Sequence, residues 1–170
     1  MQAHLAQMVS LAQARGLRVQ LTLFDWWGQD SDSAVCKAWA QAILAPFAGN
    51  QEIAFVELQN EIDPTNPAVL SWTEQMLPFL KSVDGGLPET VSVYTLTGLQ
   101  LLANALRATP PDFYDFHYYG HAGDAFGQLA QAKATLLFQP ADPLVLKSRQ
   151  FPKPFVREST DSSLCACSLT

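Results

Sequence analysis

The residues of this chain best able to do chemistry are carboxylates placed just past apolar stretches. The run Val56-Glu57-Leu58-Gln59-Asn60-Glu61 reads as the end of a buried strand, apolar from Ile53 to Leu58. It delivers an amide and a carboxylate side by side before Asp63-Pro64 turns the chain. Glu158 follows Pro154-Phe155-Val156-Arg157 in the same manner. Cleaving a glycosidic bond needs one carboxyl group to protonate the leaving oxygen and a second to attack the sugar or activate water. Two carboxylates 97 positions apart can share that work where strand C-terminal ends converge, as at the mouth of a parallel β/α barrel. A glutamate beyond a strand also serves as a cap or a solvated carboxylate, and spacing alone leaves both uses open.

Other side chains fit the same chemistry. In Asp115-Phe116-His117-Tyr118-Tyr119, period-two alternation sends Asp115, His117 and Tyr119 to one face and Phe116 and Tyr118 to the other. A His and a Tyr at the mouth can hold a carboxylate by hydrogen bonds and tune its protonation. A His satisfied inside a packed sheet is the other reading. Asp25-Trp26-Trp27 ends an earlier apolar run, and one of its indoles can stack on a sugar ring. Trp39 and Trp72 fall on helical stripes and read as core fillers.

To bring these residues together, helices and strands must alternate. Apolar spacing predicts helices over residues 3–15, 34–47, 67–82, 99–107 and 123–137. The first two carry the stripes Leu5, Met8, Val9, Leu11, Ala12 and Val35, Ala38, Trp39, Ala42, Ile43. Asp32 or Ser33 is suited to cap the second helix. Strands are predicted at 17–24, 53–58, 90–94, 113–118 and 154–158. Such alternation, with strands that are near-continuous apolar runs, implies α/β architecture: a parallel sheet with crossover helices.

Composition narrows the functional classes. At 170 residues, 48% apolar and 15% charged, the chain is long enough for one domain with a sizeable core. A net charge of −6 with scattered Lys and Arg excludes a clustered basic face for nucleic acid. No apolar run reaches a membrane span, and the N-terminal residues do not read as a signal peptide, which leaves a cytoplasmic expectation. Cys36, Cys165 and Cys167 make neither a disulfide framework nor a zinc spacing. With no glycine-rich phosphate loop either, no cofactor and no metal are expected.

Taken in order, the strand ending Asn60-Glu61, then His117-x-Tyr119, then Glu158 after Pro154-Phe155-Val156 resemble the cellulase-like glycoside hydrolases of family 5 and clan A. The passage Leu11-Ala12-Gln13-Ala14-Arg15-Gly16-Leu17-Arg18-Val19 is similar to that family's entry into its third strand, and the resemblance covers about residues 5–160.

The resemblance implies an incomplete (β/α) TIM-type barrel of about five parallel strands over residues 1–160, with an irregular tail at 161–170. It implies Glu61 as acid/base, Asn60 as the ligand of the sugar 2-hydroxyl, and Glu158 as nucleophile. His117 and Tyr119 would sit at the sixth strand, Tyr119 near the nucleophile, while Trp26 and Trp27 would contact substrate. The reaction would retain configuration on β-linked glucan, mannan or aryl glycosides, with carboxyl groups about 5–5.5 Å apart. The sequence departs from the family in three ways. The family's first two strands, with their supporting Arg, and its eighth strand, with a stacking Trp, have no counterpart. Phe24 stands where many members have His. Arg157-Glu158-Ser159-Thr160 replaces a small residue before the nucleophile and a Gly after it. An open sheet edge and inner face would be covered by another copy, most simply in a two-fold dimer. Two alternatives stand beside this reading. One is a carbohydrate-binding barrel fragment with weak or no turnover. The other is a doubly wound α/β protein with a carboxylate-bound metal and a switch point in its strand order.

Overall fold

The computed structural model describes residues 2–25 and 32–137. Over these residues the chain is α/β, with five α-helices and parallel strands alternating as expected. The helices are α1 (Gln2–Gln13), α2 (Ser33–Leu44), α3 (Pro67–Val83), α4 (Leu96–Ala105) and α5 (Ala125–Leu137). The strands are β1 (Val19–Phe24), β2 (Ile53–Gln59), β3 (Glu89–Thr90), β4 (Ser92–Val93) and β5 (Asp115–Phe116). The strand expected at 154–158 lies outside the described residues, as does the tail.

Local sequence explains the boundaries. Asp32 caps α2, its Oδ1 accepting the N–H groups of Ala34 (2.9 Å) and Val35 (3.2 Å). Asn66 does the same for α3 through Ala68 (3.0 Å), with Pro67 at the first helical position, where no N–H is needed. Thr95 caps α4 by accepting the Gly98 N–H (2.9 Å), so that helix begins earlier than its apolar spacing suggests.

Strands β1, β2 and β3 pair in that order, and β4 pairs with β5, all parallel. Only Val91 separates β3 from β4. The Ile62 N–H reaches Ser92 O (3.0 Å) on one side of this ribbon, and the His117 N–H reaches Val93 O (2.8 Å) on the other. Residues 89–93 therefore lie between β2 and β5, and the strands follow sequence order. Among the described strands there is no switch point, which the doubly wound alternative requires.

The helix layer packs on one sheet face through Val56, Leu58, Val91 and Val93, all at most 1% exposed, and through Trp72, Met76, Leu77 and Leu80 of α3. Two predicted stripes are corrected. In α2 the buried positions are Cys36, Ala40, Ile43 and Leu44, while Val35 is 64% exposed. In α1 only Val9 is buried, and Met8 and Leu11 are about half exposed. Both helices carry small or apolar residues on more than one face, so composition did not fix their rotation. Phe24 packs against Trp39 (ring centroids 5.0 Å) and edge-on to Trp72 (5.2 Å), joining strand end to helix layer.

A further correction concerns the strands, which are not continuous apolar runs. The face opposite the helices carries Gln20, Thr22, Glu57, Gln59, Thr90 and Ser92, and the last four are at most 2% exposed. The sheet is thus apolar toward its helices and polar on the other side. That polarity positions the site.

Candidate active site

Glu61 lies two residues past the end of β2, within the turn, in the left-handed region with φ of 51°. Such a conformation costs a non-glycine residue roughly 1–3 kcal/mol and persists only where neighbours hold it. Three consecutive backbone N–H groups supply the hold. Asn60 donates to Phe24 O (3.1 Å), Glu61 to Ser92 Oγ (2.7 Å) and Ile62 to Ser92 O (3.0 Å). The loop is thereby fastened to β1 and β4, and the Glu61 side chain is 95% buried, with 5% of its surface exposed. Replacing Ser92 by Ala leaves the Glu61 N–H without its partner. That change is expected to destabilise the fold by about 1–3 kcal/mol, read as a lower midpoint in urea unfolding.

Two side chains from the segment after β5 converge on Glu61. His117 Nδ1 is 2.7 Å from Glu61 Oε1, and the Tyr119 hydroxyl donates to the same oxygen. His117 Nε2 faces Asp115 Oδ2 at 3.7 Å. With carboxylates at both ring nitrogens, the imidazolium is favoured and its pKa is raised to about 9. Asp115 is the largest cause; burial, which lowers it, comes next and is outweighed once Glu61 adds to Asp115. His117 is therefore a cation at neutral pH, donating to Glu61. The Tyr119 hydroxyl, against the same carboxylate, is held above its ordinary pKa and stays a donor. The alternation of Asp115, His117 and Tyr119 on one side matches these contacts. Tyr118 turns away and donates to His121 O (3.0 Å).

The remaining sequence-derived candidates are less closely joined. Asn60 Nδ2 reaches Asp25 Oδ1 at 3.4 Å, the far limit of a hydrogen bond, and otherwise stands beside Glu61 at the strand end. Trp26, Trp27 and Glu158 lie outside the described residues, so the separation of the two carboxyl groups and the neighbourhood of the second do too. The contact the structure does give Tyr119 is to Glu61.

Sequence reasoning missed Ser92 and Glu57. Ser92 is a small residue in the middle of the predicted strand at 90–94, and nothing in its spacing marks it as the anchor of a loop 31 positions earlier. Glu57 falls within a stretch that the sequence presents as apolar. It is 1% exposed, and its Oε2 accepts from Thr22 Oγ1 (2.6 Å) and Gln20 Nε2 (3.0 Å). A charged residue within an otherwise apolar strand was the available signal.

Chemically, the arrangement presents a buried carboxylate with two donors on one oxygen, on the polar face of a parallel sheet and at the C-terminal ends of its strands. Such a group can exchange a proton with a ligand at the mouth. Comparisons of the chain with protein-family models, with curated proteins and with solved structures find no match.

Proposed function

We propose that the chain is a retaining glycoside hydrolase acting on β-linked glycosides, built on part of a (β/α) barrel. The observation that carries this reading is the convergence of His117 and Tyr119 on Glu61 at the strand ends. Glu61 must enter the first step with a proton on Oε2, the oxygen not held by His117 and Tyr119. It gives that proton to the glycosidic oxygen as the Glu158 carboxylate attacks the anomeric carbon, and the aglycone leaves as an alcohol. In the second, Glu61 takes a proton from water, which displaces Glu158 and returns both carboxyl groups to their starting states. Asn60 binds the sugar 2-hydroxyl, and Trp26 and Trp27 offer stacking surfaces. His117 and Tyr119 fix the position of Glu61 so that its reacting oxygen faces the substrate. Sequential strand order and the polar inner face support the barrel part of this reading.

The test is hydrolysis of an activated aryl β-glycoside with Glu158→Gln beside the parent. Loss of turnover by about 10³-fold or more supports the assignment, since the nucleophile is needed in both steps. Parent-level rates in the variant overturn it. Saturable sugar binding without product would instead favour the carbohydrate-binding alternative.

The same reading includes pairing of copies. β1 is an edge of the described sheet, and Met8, Leu11 and Val35 expose apolar surface on the helices beside it in sequence. Light scattering is expected to give twice the 18.6 kDa chain mass, and a monodisperse single-chain mass would contradict it.

A further inference from the structure

We propose that Glu57, Asp115 and His117 form a binding site for a divalent transition-metal ion, with zinc the ion best matched to the donors. One oxygen from each carboxylate and a ring nitrogen of His117 lie within 4.8 Å of one another. A tetrahedral zinc with bonds of about 2.0–2.2 Å sets its ligands roughly 3.4 Å apart, so modest side-chain closure forms the site. The 3.7 Å from His117 Nε2 to Asp115 Oδ2 is already close to that spacing.

A second observation points to a ligand independently. Glu57 is 99% buried, its Oε2 is fixed by Thr22 and Gln20, and its Oε1 has no hydrogen-bond partner among the described residues. A bare carboxylate oxygen in the interior is costly, and a cation supplies the missing partner. The half-fixed carboxylate is thus aimed by donors on β1 and left open on the other oxygen.

His117 completes the pattern. Its Nδ1 is engaged by Glu61, and its Nε2 faces Asp115. At Nε2 the ion takes the place of the ring proton, so binding releases a proton and tightens as pH rises. Metal-bound histidines usually give their second nitrogen to a carboxylate, which sets the ring's orientation and strengthens it as a ligand. Here Glu61 plays that part and is itself held by Tyr119. One imidazole and two carboxylates suit zinc or a neighbouring borderline ion better than calcium or magnesium, which favour all-oxygen sets. The site shares His117 with the glycosidase reading, but Glu57 has no role in that mechanism, and metal binding is read without substrate.

The experiment is a calorimetric titration of the full chain, stripped with chelator, with zinc chloride. One ion per chain is expected, with Kd in the micromolar range or below. Glu57→Gln and Asp115→Asn should each weaken binding at least tenfold while leaving the circular dichroism of the apo-protein unchanged. A variant with Cys36, Cys165 and Cys167 all replaced by Ser should bind as the parent does, and cobalt should bind the parent without thiolate charge-transfer absorbance. Absence of zinc binding below about 100 µM overturns the proposal. So does binding that both carboxylate variants leave within twofold, or binding that the Cys-to-Ser variant abolishes. Asp115 is partly exposed on β5, so its variant keeps the test decisive if Glu57→Gln fails to fold.

Discussion

Replacing Glu61 by Gln is expected to lower kcat/KM on an unactivated β-glycoside by about 10²–10⁴-fold, the usual contribution of a positioned general acid/base. Gln keeps the volume and the carbonyl oxygen that His117 and Tyr119 contact, but it has no proton to give and cannot take one from water. The deficit should therefore be smaller on an aryl glycoside whose leaving group needs little protonation. Azide, as a small nucleophile that needs no general base, should restore turnover on that substrate. Equal losses on both substrates with no azide effect would show that Glu61 acts in some other way. The geometry makes this change local. The backbone at Glu61 is held by Phe24 and Ser92 rather than by its own side chain, so the circular dichroism of the variant should match the parent.

Glu89→Gln is expected to change stability and leave the site alone. Glu89 begins β3, fully buried, and among the described residues neither carboxyl oxygen has a hydrogen-bond donor. Burial, with Asp84 facing it, pushes its pKa up to about 10, from 4.5. The folded chain therefore keeps a proton that the unfolded chain has lost over most of the pH range. The sign follows from linkage: stability from this group is fully present below about pH 4.5 and falls as pH rises toward 10. His117 acts in the same direction, its contribution declining from pH 6.5 to about 9. The parent should thus be more heat-stable at pH 5 than at pH 8. Glu89→Gln, which keeps a neutral donor beside Asp84, should raise the midpoint at pH 8 by about 5 °C and flatten the profile. An unchanged pH profile in the variant would remove Glu89 as its source.

The alternation of helices and strands was legible because it rests on properties written locally. Pro67 and Asn66 start α3 whatever surrounds them, and its buried Val69, Trp72, Met76, Leu77 and Leu80 recur at helical spacing. Rotation of α1 and α2 was not legible. Val35 is as apolar as Ile43, and only tertiary packing leaves one at the surface and the other in the core. The polar sheet face was hidden for a related reason: Glu57 and Ser92 are satisfied by residues distant in sequence, and no local pattern records those partners. At the site, period-two alternation placed Asp115, His117 and Tyr119 together because it follows from strand geometry alone. Their meeting with Glu61 needed β4 between the two strands, and the left-handed turn at Glu61 is visible only in the fold.

The central claim, that two glutamates cleave a glycoside by double displacement, is tested most directly by trapping the intermediate. A 2-deoxy-2-fluoro aryl β-glycoside slows both steps and, with a good leaving group, lets the first outrun the second. Incubation should add one fluorosugar mass to the chain, and peptide mass spectrometry should place it on Glu158. Free aglycone should appear as a single stoichiometric burst. An unmodified chain that nevertheless hydrolyses the parent glycoside, or a label on any other side chain, would contradict the account.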